Sequence, residues 1–302
     1  MFKEDQPYTV VVSSCDEYED LWYPFFAVLK AEWPELEQEQ IPIVLNTENK
    51  KFEYNGLNIS TFGLYKPGDS PSWTERLRKT LESIDSRYII MLLDDFFMQN
   101  RVKIEEINRC VRWMDDNPKI STFCFKETFV SKNIKDDRYE GFERRPLVGK
   151  YKFNCQAALW RRDRLINYLQ KAENPWEWET IGNWRSYRHP FHFFYSAVPG
   201  CEHVFPYIYV LNGNPIGGMG VLRGKWYLPC VEEIFKKHGI EIDYSIRGTV
   251  TEEDLKLFAG KKNKKEASRW KQKLWFARPL YNSVKSIVKT IPIVLKNLDH
   301  FF

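Results

Sequence analysis

Paired cysteines are absent from this 302-residue chain. Cys15, Cys110, Cys124, Cys155, Cys201 and Cys230 are scattered, with no Cys-x-x-Cys spacing. That excludes a zinc ribbon and a disulfide scaffold, and it fits a reducing cytosol. No apolar run approaches the roughly 20 residues of a membrane-spanning helix. The opening segment, Met1 to Pro7, is too polar for a signal peptide, so a cytoplasmic location is expected. There is no internal repeat. The body also lacks basic stretches interleaved with stacking motifs, which argues against nucleic acid as a partner.

Aromatic residues, by contrast, are plentiful at 16%, with 11 Trp and 16 Tyr. Rings in that number line a core or stack on sugars and bases, and composition alone favours the core. The net charge of +4 conceals an asymmetry. Residues 261–302 carry eleven Lys/Arg against Glu266 and Asp299, a surplus of +9, which leaves −5 on residues 1–260. A mildly acidic body with a basic tail points to an anionic surface as partner.

Apolar runs and helical patterns alternate over the first 125 residues. Tyr8–Ser14 and Ile41–Leu45 read as strands, separated by a helical pattern through Leu21, Phe25, Val28 and Leu29. Ser72 and Glu75 form a capping-box signature opening a helix whose apolar stripe is Trp73, Leu77, Leu81 and Ile84. Arg76 and Arg78 fall off that stripe. Tyr88–Leu93, a helix through Ile104, Ile107, Val111 and Met114, and Ile120–Phe125 follow. This order predicts an α/β sandwich with a mostly parallel central sheet. Beyond it, Lys152–Trp160 reads as a strand leading to a helix with Leu165 and Leu169. Pro175–Glu179 reads as a turn, and Val231–His238 as a helix stopped by Gly239.

The run Tyr88–Leu93 ends in two adjacent carboxylates, Asp94 and Asp95. Side-by-side carboxylates repel unless a proton or cation sits between them. Phe96 and Phe97 keep the pair in an apolar setting, where a hard divalent ion with a phosphate-bearing ligand would satisfy both acids. Ligands in parallel α/β sheets bind beyond the carboxyl ends of the strands. Ser13, Ser14, Asp16, Asn46, Thr47, Asp94 and Asp95 all fall there.

A Ser-Ser-x-Asp strand end at Ser13–Asp16, an Arg-bearing helix and an apolar strand closed by Asp94-Asp95 together resemble the nucleotide-sugar half of GT-A-type glycosyltransferases. The resemblance covers roughly residues 8–240 in order of elements, with Asp94-Asp95-Phe96 standing where that family has Asp-x-Asp. It implies a GT-A-like Rossmann-type domain over 1–250, with a nucleotide-sugar half at about 1–125 and an acceptor half at about 126–250. It further implies that Ser13, Ser14, Asp16, Arg76 and Asp94 contact the donor, and that Asp95 with Asp94 holds Mn2+ or Mg2+ on the diphosphate. The family's acceptor-side base corresponds in place to Pro175–Glu179. Glu179 or Glu177 would then take the acceptor proton in an inverting transfer, with Trp176 and Trp178 shaping the sugar pocket. Arg223, Lys225 and Trp226, preceded by Gly217, Gly218 and Gly220, resemble the basic segment that closes over the leaving diphosphate.

Residues 251–302 read as a basic helical tail. Trp270, Leu274, Ala277, Tyr281, Val284, Val288, Ile291, Leu295, Leu298 and Phe302 form a 4-3-4-3 apolar stripe, bordered by Lys271, Arg278, Lys285, Lys289 and Lys296 and kinked at Pro279 and Pro292. Such a stripe suits a peripheral position on an anionic membrane, packing on the body, or a homo-oligomer contact. The family analogy extends to a lipid-linked saccharide acceptor in surface-polysaccharide assembly. Two other readings compete. One is a non-catalytic carbohydrate-binding or scaffold protein with a degenerate fold. The other is a nucleotidyltransferase, disfavoured because the Ser13–Glu17 loop is acidic rather than Gly-rich and basic. His189, His192 and His203 match no zinc spacing and read as ordinary histidines.

Overall fold

The computed structural model describes residues 7–66, 68–127, 133–148, 151–170, 172–180, 182–198, 204–207 and 219–257. The amphipathic stretch at 261–302, His203, Gly217 and Gly218 lie outside them.

The strands are β1 (Tyr8–Ser13), β2 (Ile43–Asn46), β3 (Ile59–Ser60), β4 (Tyr88–Leu93), β5 (Ile120–Cys124), β6 (Ile134–Lys135), β7 (Phe142–Arg144), β8 (Ala158–Arg161), β9 (Phe193–Ala197), β10 (Val221–Leu222) and β11 (Lys225–Trp226). The helices are α1 (Glu19–Glu32), α2 (Glu35–Gln38), α3 (Trp73–Glu82), α4 (Ile104–Asp116), α5 (Arg162–Tyr168), α6 (Pro175–Thr180) and α7 (Glu232–His238). Nine strands form one sheet in the order β3-β2-β1-β4-β8-β5-β9-β7-β6. Only β8 and β7 run against the other seven, so the α/β architecture with a mostly parallel sheet is the one observed.

Every residue of β1 is buried, because helices cover both faces of the sheet. The two-residue period of a strand sorts its side chains. Tyr8, Val10 and Val12 enter a core with α1, α4 and α7, while Val11 joins Val44, Ile89 and Met91 against α3, α5 and Trp178. Ser72 caps α3 as its pattern predicts, its Oγ accepting from the Glu75 amide at 3.2 Å.

Three expectations change. Lys152–Ala157 is irregular, and the strand is confined to Ala158–Arg161. Pro175–Thr180 is a helix rather than a turn, with Pro175 at its first position, where a missing amide costs nothing. Arg76 is buried, since its guanidinium reaches under the end of β1.

Candidate active site

The register of the central strands levels their ends. Ser13 lies beside Asn46 of β2 on one side and Leu93 of β4 on the other. Ser14, Thr47 and Asp94 therefore leave the sheet at one height. Two indoles fix the first of these exits: Trp73 Nε1 donates to Ser13 Oγ at 2.8 Å, and Trp22 Nε1 to Ser14 Oγ at 2.7 Å. Ser14 Oγ in turn donates to Asp94 Oδ2. Arg76 Nη2 holds the Ser14 carbonyl at 2.6 Å, and its Nη1 pairs with Glu48. Asp16 is also engaged by protein: its carboxylate accepts the consecutive amides of Glu48, Asn49 and Lys50 at 3.1 to 3.2 Å. Ser13, Ser14, Asp16 and Arg76 thus lace the two exit loops into a rigid rim.

The acidic pair sits at the centre of that rim. Asp94 is 4% exposed. Burial, then the neighbouring charge of Asp95, pushes its carboxyl up to about 8, against the opposing pull of the Ser14 hydroxyl. Burial raises Asp95 to about 6, with the Arg247 cation opposing. Asp95 Oδ1 is buried and has no hydrogen-bond partner among the described residues. An orphaned carboxylate oxygen beside a second carboxylate is an incomplete shell, and a hard divalent cation fits it. Among the described residues no three His, Cys, Asp or Glu cluster to enclose a metal.

A third carboxylate, from α6, is held beside the entry to the reversed strand. Because β8 runs against β4, the chain entering it arrives at the edge where β4 leaves. The Cys155 amide there donates to Glu179 Oε1 at 2.7 Å. Burial raises the Glu179 carboxyl, while contacts with Cys155 oppose the rise. The Cys155 thiol is itself driven well above its ordinary value by burial, then by Glu179, with a further contribution from Asp95. Cys155 therefore lies within electrostatic reach of both acids. Glu177 is spent elsewhere: it accepts the Asn174 amide at 3.0 Å while its own amide donates to Asn174 Oδ1 at 2.9 Å, closing the first turn of α6.

The two tryptophans of α6 divide in the same way. Trp176 is 73% exposed, whereas Trp178 is fully buried among Trp73, Phe153 and Trp160 and has no ring face left for a sugar. In the β10–β11 hairpin, Arg223 and Gly224 occupy the left-handed region, with φ of 52° and 85°. Two consecutive positive φ values match the twist of a tight two-residue hairpin. Arg223 is exposed at its tip, Lys225 pairs with Asp254 at 2.8 Å, and Trp226 is buried against Phe97 and Phe235. The hairpin joins the site through the Gly220 amide, which donates to the Asp95 carbonyl at 2.7 Å.

No family model and no curated protein matches the sequence. Solved structures do, at low similarity. S. aureus TarS 1-349 in complex with UDP-GlcNAc is 11% identical, with 67% of this chain and 62% of that one covered and a TM-score of 0.40. A mannosyltransferase from Pyrobaculum calidifontis in complex with GDP-Man and Mn2+ is 12% identical, covering 64% and 54%, TM-score 0.39. A cytidylyltransferase from Leptospira borgpetersenii is 13% identical, covering 82% and 98%, TM-score 0.41. The aligned part spans less than two thirds of the first two of these proteins. Likeness at this level is confined to a broad arrangement of strands and helices and decides nothing about chemistry.

Arg247, Trp22, Trp73 and Glu48 escape sequence reasoning. Arg247 falls in a polar stretch without periodicity. The indoles sit on apolar helical stripes that explain them fully as core. Only their ring nitrogens, aimed at Ser13 and Ser14, give them a second task.

Proposed function

We propose that this chain is a metal-dependent glycosyltransferase using a nucleoside-diphosphate sugar. The observation that carries the reading is the buried, unpartnered Oδ1 of Asp95 beside Asp94, at the level exits of β1, β2 and β4. Asp95 would hold Mn2+ or Mg2+, with Asp94 completing the protein's share. The cation, when bound, supplies positive charge against the diphosphate oxygens. Ser13, Ser14, Asp16 and Arg76 shape the rim that receives the nucleotide, and Arg223 and Lys225 add cationic charge on the hairpin side. Residues 1–125 form the donor half and 126–250 the acceptor half.

Glu179 is the base. As the acceptor oxygen forms its bond to the anomeric carbon, its proton passes to Glu179. The bond from that carbon to the diphosphate oxygen breaks with its electron pair on the leaving group. A single displacement of this kind inverts the anomeric centre. The raised pKa of Glu179 suits a base that works near neutrality. Trp176 offers the acceptor saccharide an exposed ring. The basic stretch at 261–302 would bring the protein to an anionic membrane carrying a lipid-linked acceptor, or to a second subunit. Among the described residues no helix is long and apolar enough to cross a membrane.

A panel of nucleotide sugars, scored for Mn2+-dependent binding and slow donor hydrolysis beside Asp95→Ala, tests the reading. Binding that needs both the cation and Asp95 supports it. If no nucleotide sugar binds, or Asp95→Ala binds equally well with metal, the reading is wrong. Loss of liposome binding on removal of 261–302 tests the membrane role separately.

A further inference from the structure

Arg247 makes contacts that the chemistry above does not use. Its guanidinium forms a two-pronged pair with Asp20, through Nε at 2.7 Å and through Nη2. Nη1 also donates to the Gly224 carbonyl at 3.2 Å, and Nη2 to the Glu17 carbonyl at 3.3 Å. The same cation lies 4.6 Å from the centre of the Tyr18 ring and 5.9 Å from that of Trp226. The paired side chains are nearly dry, at 8% and 9% exposed.

The partners come from two separate segments. Glu17, Tyr18 and Asp20 follow the exit of β1. Gly224 and Trp226 belong to the hairpin, whose near end is fastened beside the acidic pair through Gly220 and the Phe96–Met219 bridge. Arg247 itself comes from the segment that pairs with Trp226 on its far side: the Trp226 amide donates to Gly248 at 3.0 Å, and the Val250 amide donates back to Trp226 at 2.8 Å.

We infer that Arg247, with Asp20, is a positioning clasp that holds the hairpin wall against the β1-exit wall and so sets the donor cleft. Its hydrogen-bonding faces are taken by Asp20, Glu17 and Gly224, so it acts on a donor through the protein rather than by direct contact. Planar, forked geometry is what the site demands, because one cation must meet a carboxylate edge-on, two carbonyls, and a ring face. The other tie on the hairpin, between Lys225 and Asp254, is more exposed and reaches only one wall. This inference rests on the proposed donor reading for its functional half and on the fold alone for its mechanical half.

The test takes the full chain in wild-type, Arg247→Ala, Arg247→Lys, Asp20→Asn and doubly substituted forms. Amide hydrogen exchange without ligand reads the clasp directly at Gly220, Trp226, Tyr227 and Val250, with β1 and β4 amides as the internal reference. Binding of UDP and GDP in the presence of MnCl2 reads the donor cleft. Loss of one partner of so dry a pair should speed hairpin exchange and weaken nucleotide binding by at least about tenfold, with the β1 and β4 amides still protected. Arg247→Lys should recover part of the binding. The double variant should be no worse than the worse single one, since the two residues act as one unit. Unchanged hairpin exchange, additive effects, or exchange that rises equally through β1 and β4 would overturn the clasp. If the hairpin loosens but nucleotide binding is unaffected, the positioning role is wrong while the tie is real. If wild type binds neither nucleotide, the positioning role for a uridine or guanosine donor fails, while the exchange data still decide the tie.

Discussion

The hydroxyl of Ser14 donates to Asp94 Oδ2 across the gap between two neighbouring strand ends, and accepts the Trp22 indole N–H at 2.7 Å. A small residue of the β1 exit thereby decides which oxygens of the acidic pair stay available. One Asp94 oxygen is occupied, whereas Asp95 Oδ1 is not. The division of labour within the pair follows from a serine 80 residues earlier in the sequence.

Ser14→Ala should strand two buried groups at once, the Trp22 N–H and an Asp94 oxygen. Each unsatisfied buried group costs roughly 1–3 kcal/mol, so urea denaturation should show a loss of roughly 2–6 kcal/mol. An unchanged midpoint would mean that neither contact matters to folding.

Stability should also depend on pH in an unusual direction. Asp94 keeps its proton in the native state up to about 8, whereas an unfolded aspartate releases it near ~3.9. Between those values the native state binds more protons than the unfolded one, so stability falls as pH rises. Lys126 and Lys152, buried and pushed down to about 7, act oppositely above that pH. Melting of metal-free protein from about pH 5 to about pH 7 should therefore decline, and Asp94→Asn should flatten the decline. A wild-type profile as flat as that of Asp94→Asn would contradict the assignment. Added MnCl2 should raise Tm more at the upper end, where the cation competes with fewer protons.

Glu179 and Glu177 should separate cleanly. Glu179→Gln should lower kcat on the order of 10²–10⁴-fold with donor binding intact, as expected for loss of a general base. Glu177→Gln should cost about 1 kcal/mol or less in stability, as a weakened helix start, with little change in kcat. Equal losses in turnover from the two variants would remove Glu179 from its role.

At Gly220 a methyl group would meet Phe97 Cε2 at 2.2 Å. Phe97 is wedged among Phe25, Trp226 and Phe235 and cannot swing aside. Gly220→Ala should cost about 1–3 kcal/mol by overpacking and shift the near-ultraviolet signal of the surrounding rings. Retention of wild-type stability would show that the hairpin does not press on the Phe97 ring.

Much of the first 125 residues is legible in the sequence because its signals are local. The unbroken apolar run into Asp94-Asp95 marks a doubly covered strand, and Ser72 with Glu75 marks the start of α3. The stretch beyond residue 125 is not so legible. The β6 and β7 strands are only two and three residues long, too short for any alternation to register. The Trp and Glu alternation of 176–179 mimics a two-residue period inside a helix, which hid both the burial of Trp178 and the capping by Glu177. Arg247 gives no sequence signal, since its partner Asp20 lies 227 positions away in the chain.

The reversed direction of β8 has a consequence for how such a protein can diversify. Segments entering β8 and β7 arrive at the same edge that β1, β2 and β4 leave. Chain inserted at 145–157 or ahead of Phe142 would accumulate over the chemistry, while the strands carrying Ser13, Asn46 and Leu93 kept their register. Recutting two inbound connections would change what covers the acidic pair while the rim that holds it stayed in place.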